Sequence, residues 1–178
     1  MKRWVSFLLA VATALFLHEA LHALLAALWG ELADVRAVMG LFPEVVYGTP
    51  VSDRQGSHWA VIAGSPSLAT VALGYSLLAL RGPISRLPHG LRRSFLFYLT
   101  LICLVMDPLN LFVGPFVYGG DAEGIAAGLG IRVEWVQGGA LLLLLAGREL
   151  VARALFPFYK TGRPPWLFRP LPVFHRRS

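Results

Sequence analysis

The sequence predicts an all-α integral membrane protein with about four transmembrane helices and a short β-hairpin after the first. Three observations carry that prediction. Of 178 residues, 56% are hydrophobic and only 15% charged, whereas a soluble domain is about a quarter charged. Four apolar stretches, 4–29, 58–80, 94–113 and 133–156, have about the length needed to cross hydrocarbon as a helix. Basic residues gather beside the ends of these stretches, where anionic lipid and the positive-inside rule account for them. The net charge of +6 is therefore assigned to membrane lipids and not to nucleic acid, since no phosphate loop, repeat or nucleic-acid signature accompanies it.

The first stretch follows Met1, Lys2 and Arg3 in the manner of a secretory signal. Its apolar run continues through Leu28, past the roughly 7–15 residues of a signal core, so it reads as an uncleaved span. Inside it stand His18, Glu19 and His22. Ionisable groups in hydrocarbon cost roughly 2.5–3.5 kcal/mol each, so they mark a functional site or have partners on neighbouring helices. Helix positions four apart share a face about 5–6 Å apart, which lets both imidazoles address one ion while Glu19 stands beside it. That is the zinc-protease arrangement. Two histidines hold one Zn²⁺, a third ligand comes from elsewhere, and a water in the open position has its pKa lowered toward about 7. Glu19 is then the general base.

Gly30 is positioned to end this helix. Residues 35–39 and 44–47 favour β structure, with 40–43 as the turn, and such a hairpin offers an edge to which an extended peptide can add. The 58–80 stretch carries Gly64, Ser65, Ser67, Ala69, Gly74 and Ser76, small residues that allow close helix packing, and Pro66, which should bend it. His58 reads as interfacial. The 81–93 link has Arg81, Arg86, Arg92 and Arg93 and no acid. Within the third stretch, Asp107, Pro108 and Asn110 are tolerable at membrane depth only beside a cavity or partners, which makes them the second half of the site. Gly119 and Gly120 lead to Asp121 and Glu123. Cys103 is the single cysteine, so no intrachain disulfide forms. In the fourth stretch, Arg148 and Arg153 are expected to snorkel, with Glu149 pairing to Arg153. The chain divides into a membrane domain, 1–156, and a basic tail, 157–178, rich in proline and aromatics. That tail is expected to lie extended on an anionic surface.

His18, Glu19 and His22 in an apolar helix, followed by Asn110, Leu111 and Phe112 and then by Gly120 and Asp121, resemble the site-2 protease family of intramembrane zinc metalloproteases. The resemblance covers about residues 4–130. It implies that the 1–156 domain is metalloprotease-like, that Asp121 is the third zinc ligand and that Asn110 positions the substrate strand. The chain departs from the family pattern in the longer spacing from Asn110 to Asp121 and in Ala122, which stands where a glycine is usual. Asp107 and Glu123 therefore stay open as alternative ligands.

The expected function is an intramembrane zinc endopeptidase acting on a transmembrane protein or peptide. The rival is a catalytically silent zinc-binding or scaffolding membrane protein of the same fold; Glu19 argues against it, since metal binding alone needs no base. An ion transporter would favour inverted repeats, and none is found. No sequence feature specifies an oligomeric state. The expected location is a plasma membrane of prokaryotic type. Four crossings would place eleven basic residues, from Lys2 to Arg177, on one side, against Arg36, Arg54 and Arg132 on the other. The charge rule thus makes both termini cytoplasmic and the site non-cytoplasmic. The family resemblance implies the opposite opening.

Overall fold

The computed structural model describes residues 2–38, 42–159 and 164–171. Residues 40 and 41 of the expected 40–43 turn and the tail residues Lys160, Arg163, Phe174, His175, Arg176 and Arg177 lie outside the described residues, whereas Phe42 and Pro43, expected in that turn, pair with Val38 and Ala37 as part of the second strand. Helix α1, Lys2–Leu28, is followed by an antiparallel hairpin of β1, Leu32–Val38, and β2, Phe42–Tyr47. Then come α2, His58–Ala79, the short α3, Arg81–Ser85, and α4, Leu91–Val113. Helix α5, Gly120–Leu129, and helix α6, Val133–Leu150, complete the bundle.

Along α1 every fourth residue is buried: Ser6, Ala10, Ala14, His18, His22 and Ala26 are 0–5% exposed. At about 100° per residue, a four-residue spacing drifts about 40° per step, so this stripe winds around the helix. Its two ends therefore meet different partners. Ser6 Oγ donates to the Leu91 carbonyl at 3.2 Å, and Ala10 and Ala14 pack on Leu99, Ile102 and Cys103 of α4. Ala26 instead packs with Val45 of β2 and with Trp59 and Ile62 of α2. The histidines sit where the stripe passes from one partner to the other. As expected, α1 ends at Gly30, whose φ of 73° accompanies a bond from the Glu31 N–H to the Ala26 carbonyl at 2.8 Å.

Three helices are long and apolar enough to cross a membrane: Arg3–Leu28, His58–Ala79 and Leu91–Phe116. The expected fourth span is not among them. Helix α6 carries Glu134, Arg148 and Glu149 within 18 residues, too much charge for a continuous apolar span. It nevertheless lies antiparallel along α4. Gln137 Nε2 donates to the Phe112 carbonyl at 2.9 Å near one end. At the other end α6 continues through a π-helical turn, Val151–Leu155, into α7, Phe156–Tyr159, and Phe97 stacks against Phe156 and Tyr159.

The tail also differs from expectation over its described part, 164–171, which folds back on α6. Arg148 Nε donates to the Leu167 carbonyl at 2.8 Å and Arg148 Nη2 to the Arg169 carbonyl at 2.5 Å, while Glu149 accepts the Leu171 N–H at 3.2 Å. Leu167 lies in a short 3-10 turn, Trp166–Phe168, and the guanidinium donors take its carbonyl and that of Arg169 in place of water. Glu149 and Arg153 form the expected pair four residues apart, at 2.5 Å.

Candidate metal centre

The site begins with the helical repeat of α1. His18 and His22, one turn apart, bring their Nε2 atoms within 3.0 Å of each other. The third group arrives from α5. Gly119 and Gly120 have φ values of 84° and 67°, a left-handed pair that L side chains rarely adopt, and they turn the chain so that Asp121 opens the new helix facing α1. Its Oδ2 lies 3.2 Å from His18 Nε2 and its Oδ1 3.1 Å from His22 Nε2. Ligand atoms of His18, His22 and Asp121 all fall within 4.8 Å of one another, a group that could hold a metal ion. Close packing keeps α5 in place: at Gly128 a Cβ would lie 2.8 Å from Ala60 Cα, so only glycine lets α5 approach α2 this closely. Sequence reasoning had placed no helix at α5, because ten residues rich in glycine and alanine carry little apolar periodicity.

Both histidines are gripped from behind. Asp107 Oδ1 lies 3.2 Å from His18 Nδ1, and the other Asp107 oxygen meets the Thr70 hydroxyl. Tyr47 Oη lies 2.9 Å from His22 Nδ1. For Nε2 to serve as a ligand atom the ring proton must sit on Nδ1; at His22 the Tyr47 hydroxyl lies within hydrogen-bond reach of it, while at His18 Asp107 stands close as a charge but outside hydrogen-bond geometry. Burial pushes the Tyr47 phenol above its ordinary range, with the charges of Asp121 and Glu19 adding to the effect. Tyr47 therefore remains neutral. Its ring packs edge-on to Trp59, and the Arg54 guanidinium lies over both rings, 4.6 and 4.4 Å from their centroids. Burial would raise the Asp121 carboxyl, but hydrogen bonds from the two histidines outweigh it and hold the group well below the usual carboxylate range.

The remaining expected residues are distributed as follows. Glu19 Oε2 accepts the Val45 N–H at 3.3 Å, so β2 runs alongside α1 in the same direction, with Val45 beside Glu19 and Tyr47 beside His22. Asp107 faces the side of His18 away from Asp121 and is outside the three-ligand group. Glu123 is also outside it; its carboxylate folds back over Gly119. Asn110, three residues beyond Asp107 on α4, has its Oδ1 taken by the Tyr118 hydroxyl. His58 pairs with Glu31 at 3.5 Å, in keeping with an interfacial place.

Tyr47 and Thr70 had not been singled out as site residues. The available signal was weak: Val45 and Tyr47 share a strand face, as Glu19 and His22 lie a turn apart on α1, and matching the two repeats would have aligned them. Tyr47→Phe should lower zinc affinity about tenfold, within the range for loss of such an outer partner. Competition against a chromogenic chelator measures it, and unchanged affinity would remove Tyr47 from the site.

No family model matches the chain, and no curated protein or solved structure matches it either. Fold and site together define a mostly helical chain with, among the described residues, three helices able to cross a membrane and a His-His-Asp group, its histidines buried, able to hold a metal ion.

Proposed function

We propose that this chain is an intramembrane zinc metalloendopeptidase that cleaves a membrane-spanning or membrane-proximal peptide segment. The observation that carries the proposal is the convergence of His18, His22 and Asp121 at one point of an apolar helix, with Glu19 next to the first ligand. Two imidazoles and one carboxylate suit zinc and leave a position for water, and Asp107 and Tyr47 supply the outer contacts that ligating histidines need. Zinc held there would polarise the scissile carbonyl and acidify water.

The chain's own groups do the rest. The Val45 N–H fixes Glu19 Oε2, which leaves Oε1 to take a proton from the attacking water and return it to the departing amide nitrogen. The substrate must unwind, because a helix hides its carbonyls in hydrogen bonds. Strand β1 pairs with β2 alone in the sheet, so its outer edge can receive the extended segment. We assign donation to that segment to Asn110 Nδ2, since Tyr118 engages only Oδ1 of that amide.

Purified protein assayed for zinc and for cleavage of a transmembrane peptide, beside Glu19→Gln, tests the reading. The silent-scaffold alternative predicts zinc without cleavage in both proteins.

We further read α6 as a fourth crossing in spite of Glu134, Arg148 and Glu149, which stand at its two ends where they can reach the interfaces, because it lies along α4 and returns the chain to the basic end. Both termini are then cytoplasmic and the zinc site opens to the other face. With Cys103 replaced, an impermeant thiol reagent on intact cells should label Ser57→Cys at the site end and spare Ser85→Cys. The reverse pattern would invert the orientation.

A further inference from the structure

At the end of the bundle opposite the histidines, a cavity of about 560 Å³ lies between the first turns of α1 and α4, α7 and the folded-back tail. This volume falls in the range of small-molecule sites. Its lining is largely apolar and aromatic: Phe97 meets Phe156 edge to face with centroids 5.6 Å apart, Phe168 of the tail lies tilted against Phe156 at 5.5 Å, and Leu101 joins them in the wall. Its rim is cationic. Arg3 and Arg93 both line it, and none of the lining residues is acidic.

Two further features point to an anion. Helix α4 begins at the cavity, with Gly90, Arg93 and Ser94 in its wall and no side-chain cap on its first turn, so free N–H groups and the positive dipole end face this space. Tyr159, 7% exposed and lining the cavity, has a buried hydroxyl without a hydrogen-bond partner among the described residues. The Arg93 guanidinium stands over the Tyr159 ring, 5.5 Å from its centroid. A buried hydroxyl left unpaired is costly unless a ligand completes it.

We propose that this cavity binds the phosphate headgroup of an anionic phospholipid. Arg3 and Arg93 face the phosphate, the Tyr159 hydroxyl donates to it, and the start of an acyl chain runs over Phe97 and Leu101. The shared chemistry is a phosphate, which free inorganic phosphate also offers. The aromatic lining and the place of the cavity at a membrane-helix end favour the lipid.

The test uses the full chain in nanodiscs of phosphatidylcholine, with phosphatidylglycerol added stepwise and bound lipid counted by native mass spectrometry. Wild type should retain phosphatidylglycerol selectively. Arg93→Gln should weaken that retention about fivefold and Tyr159→Phe by a smaller factor, while Arg92→Gln, which removes the same charge from the neighbouring residue outside the cavity, should leave it unchanged. Thermal unfolding in pure phosphatidylcholine checks that each variant folds, and Arg93→Lys gives a second reading if Arg93→Gln does not. Equal loss in Arg92→Gln and Arg93→Gln, or no selectivity in wild type, would overturn the site. Displacement of phosphatidylglycerol by millimolar inorganic phosphate would overturn the lipid as its occupant.

Discussion

Glu19→Gln is expected to keep its zinc and to lose at least about a hundredfold in cleavage rate, the lower end of what a positioned general base contributes. The substitution is nearly isosteric, and the amide oxygen can still accept the Val45 N–H that holds the side chain against β2. Charge and basicity disappear while the fold and the ligands stay. His18→Ala and His22→Ala should behave differently, losing zinc and cleavage together, because each removes a ligand atom from the group of three. Chelation of wild type should reproduce the histidine phenotype, and added zinc should reverse it. Zinc content and cleavage measured on the same preparations separate the two patterns. Undiminished proteolysis in Glu19→Gln would end the enzyme reading, and zinc loss in that variant would make Glu19 a ligand.

What could be read from the sequence was what short-range periodicity encodes. The four-residue spacing of His18 and His22 is a property of one helix, so it survives without knowledge of the fold. The hairpin was legible because its two β-favouring runs stand close together, although the strands reach further than expected and take in Phe42 and Pro43 of the expected turn. The role of Asp107 was not legible. It depends on which side of the His18 ring α4 reaches, and a contact across 89 residues leaves no local pattern. Thr70 and Tyr47 were hidden for the same reason. The fourth stretch looked like a span because its apolar centre dominates the eye, but Glu134, Arg148 and Glu149 at its ends weigh against continuous insertion. Arg148, Glu149 and Arg153 hold the tail, a use that no reading of α6 alone suggests.

Asp121→Ala should lower zinc affinity by more than about a hundredfold, since zinc sites worth about 10–16 kcal/mol over four ligands assign several kcal/mol to each. Asp107→Asn should cost less, about tenfold, because the side chain keeps its shape and its contact with Thr70 and only the charge behind the His18 ring is lost. Asp107→Ala falls between the two: it removes the charge behind His18 and empties a buried position at some cost in stability, while the Thr70 hydroxyl keeps the Pro66 and Ser67 carbonyls as acceptors. Unfolding measured in excess zinc separates that stability loss from lost metal. Acidity gives an independent check with a defined sign. The histidine contacts keep Asp121 ionised well below neutral pH, so acidification does not reach this ligand first. Zinc binding needs neutral imidazoles, and zinc should therefore leave as pH falls and the ligands take up protons. Competition titrations of the three variants across pH 5–8 measure both effects. Tighter zinc in Asp121→Ala than in Asp107→Ala would transfer the third ligand to Asp107 and make Asp121 the outer partner.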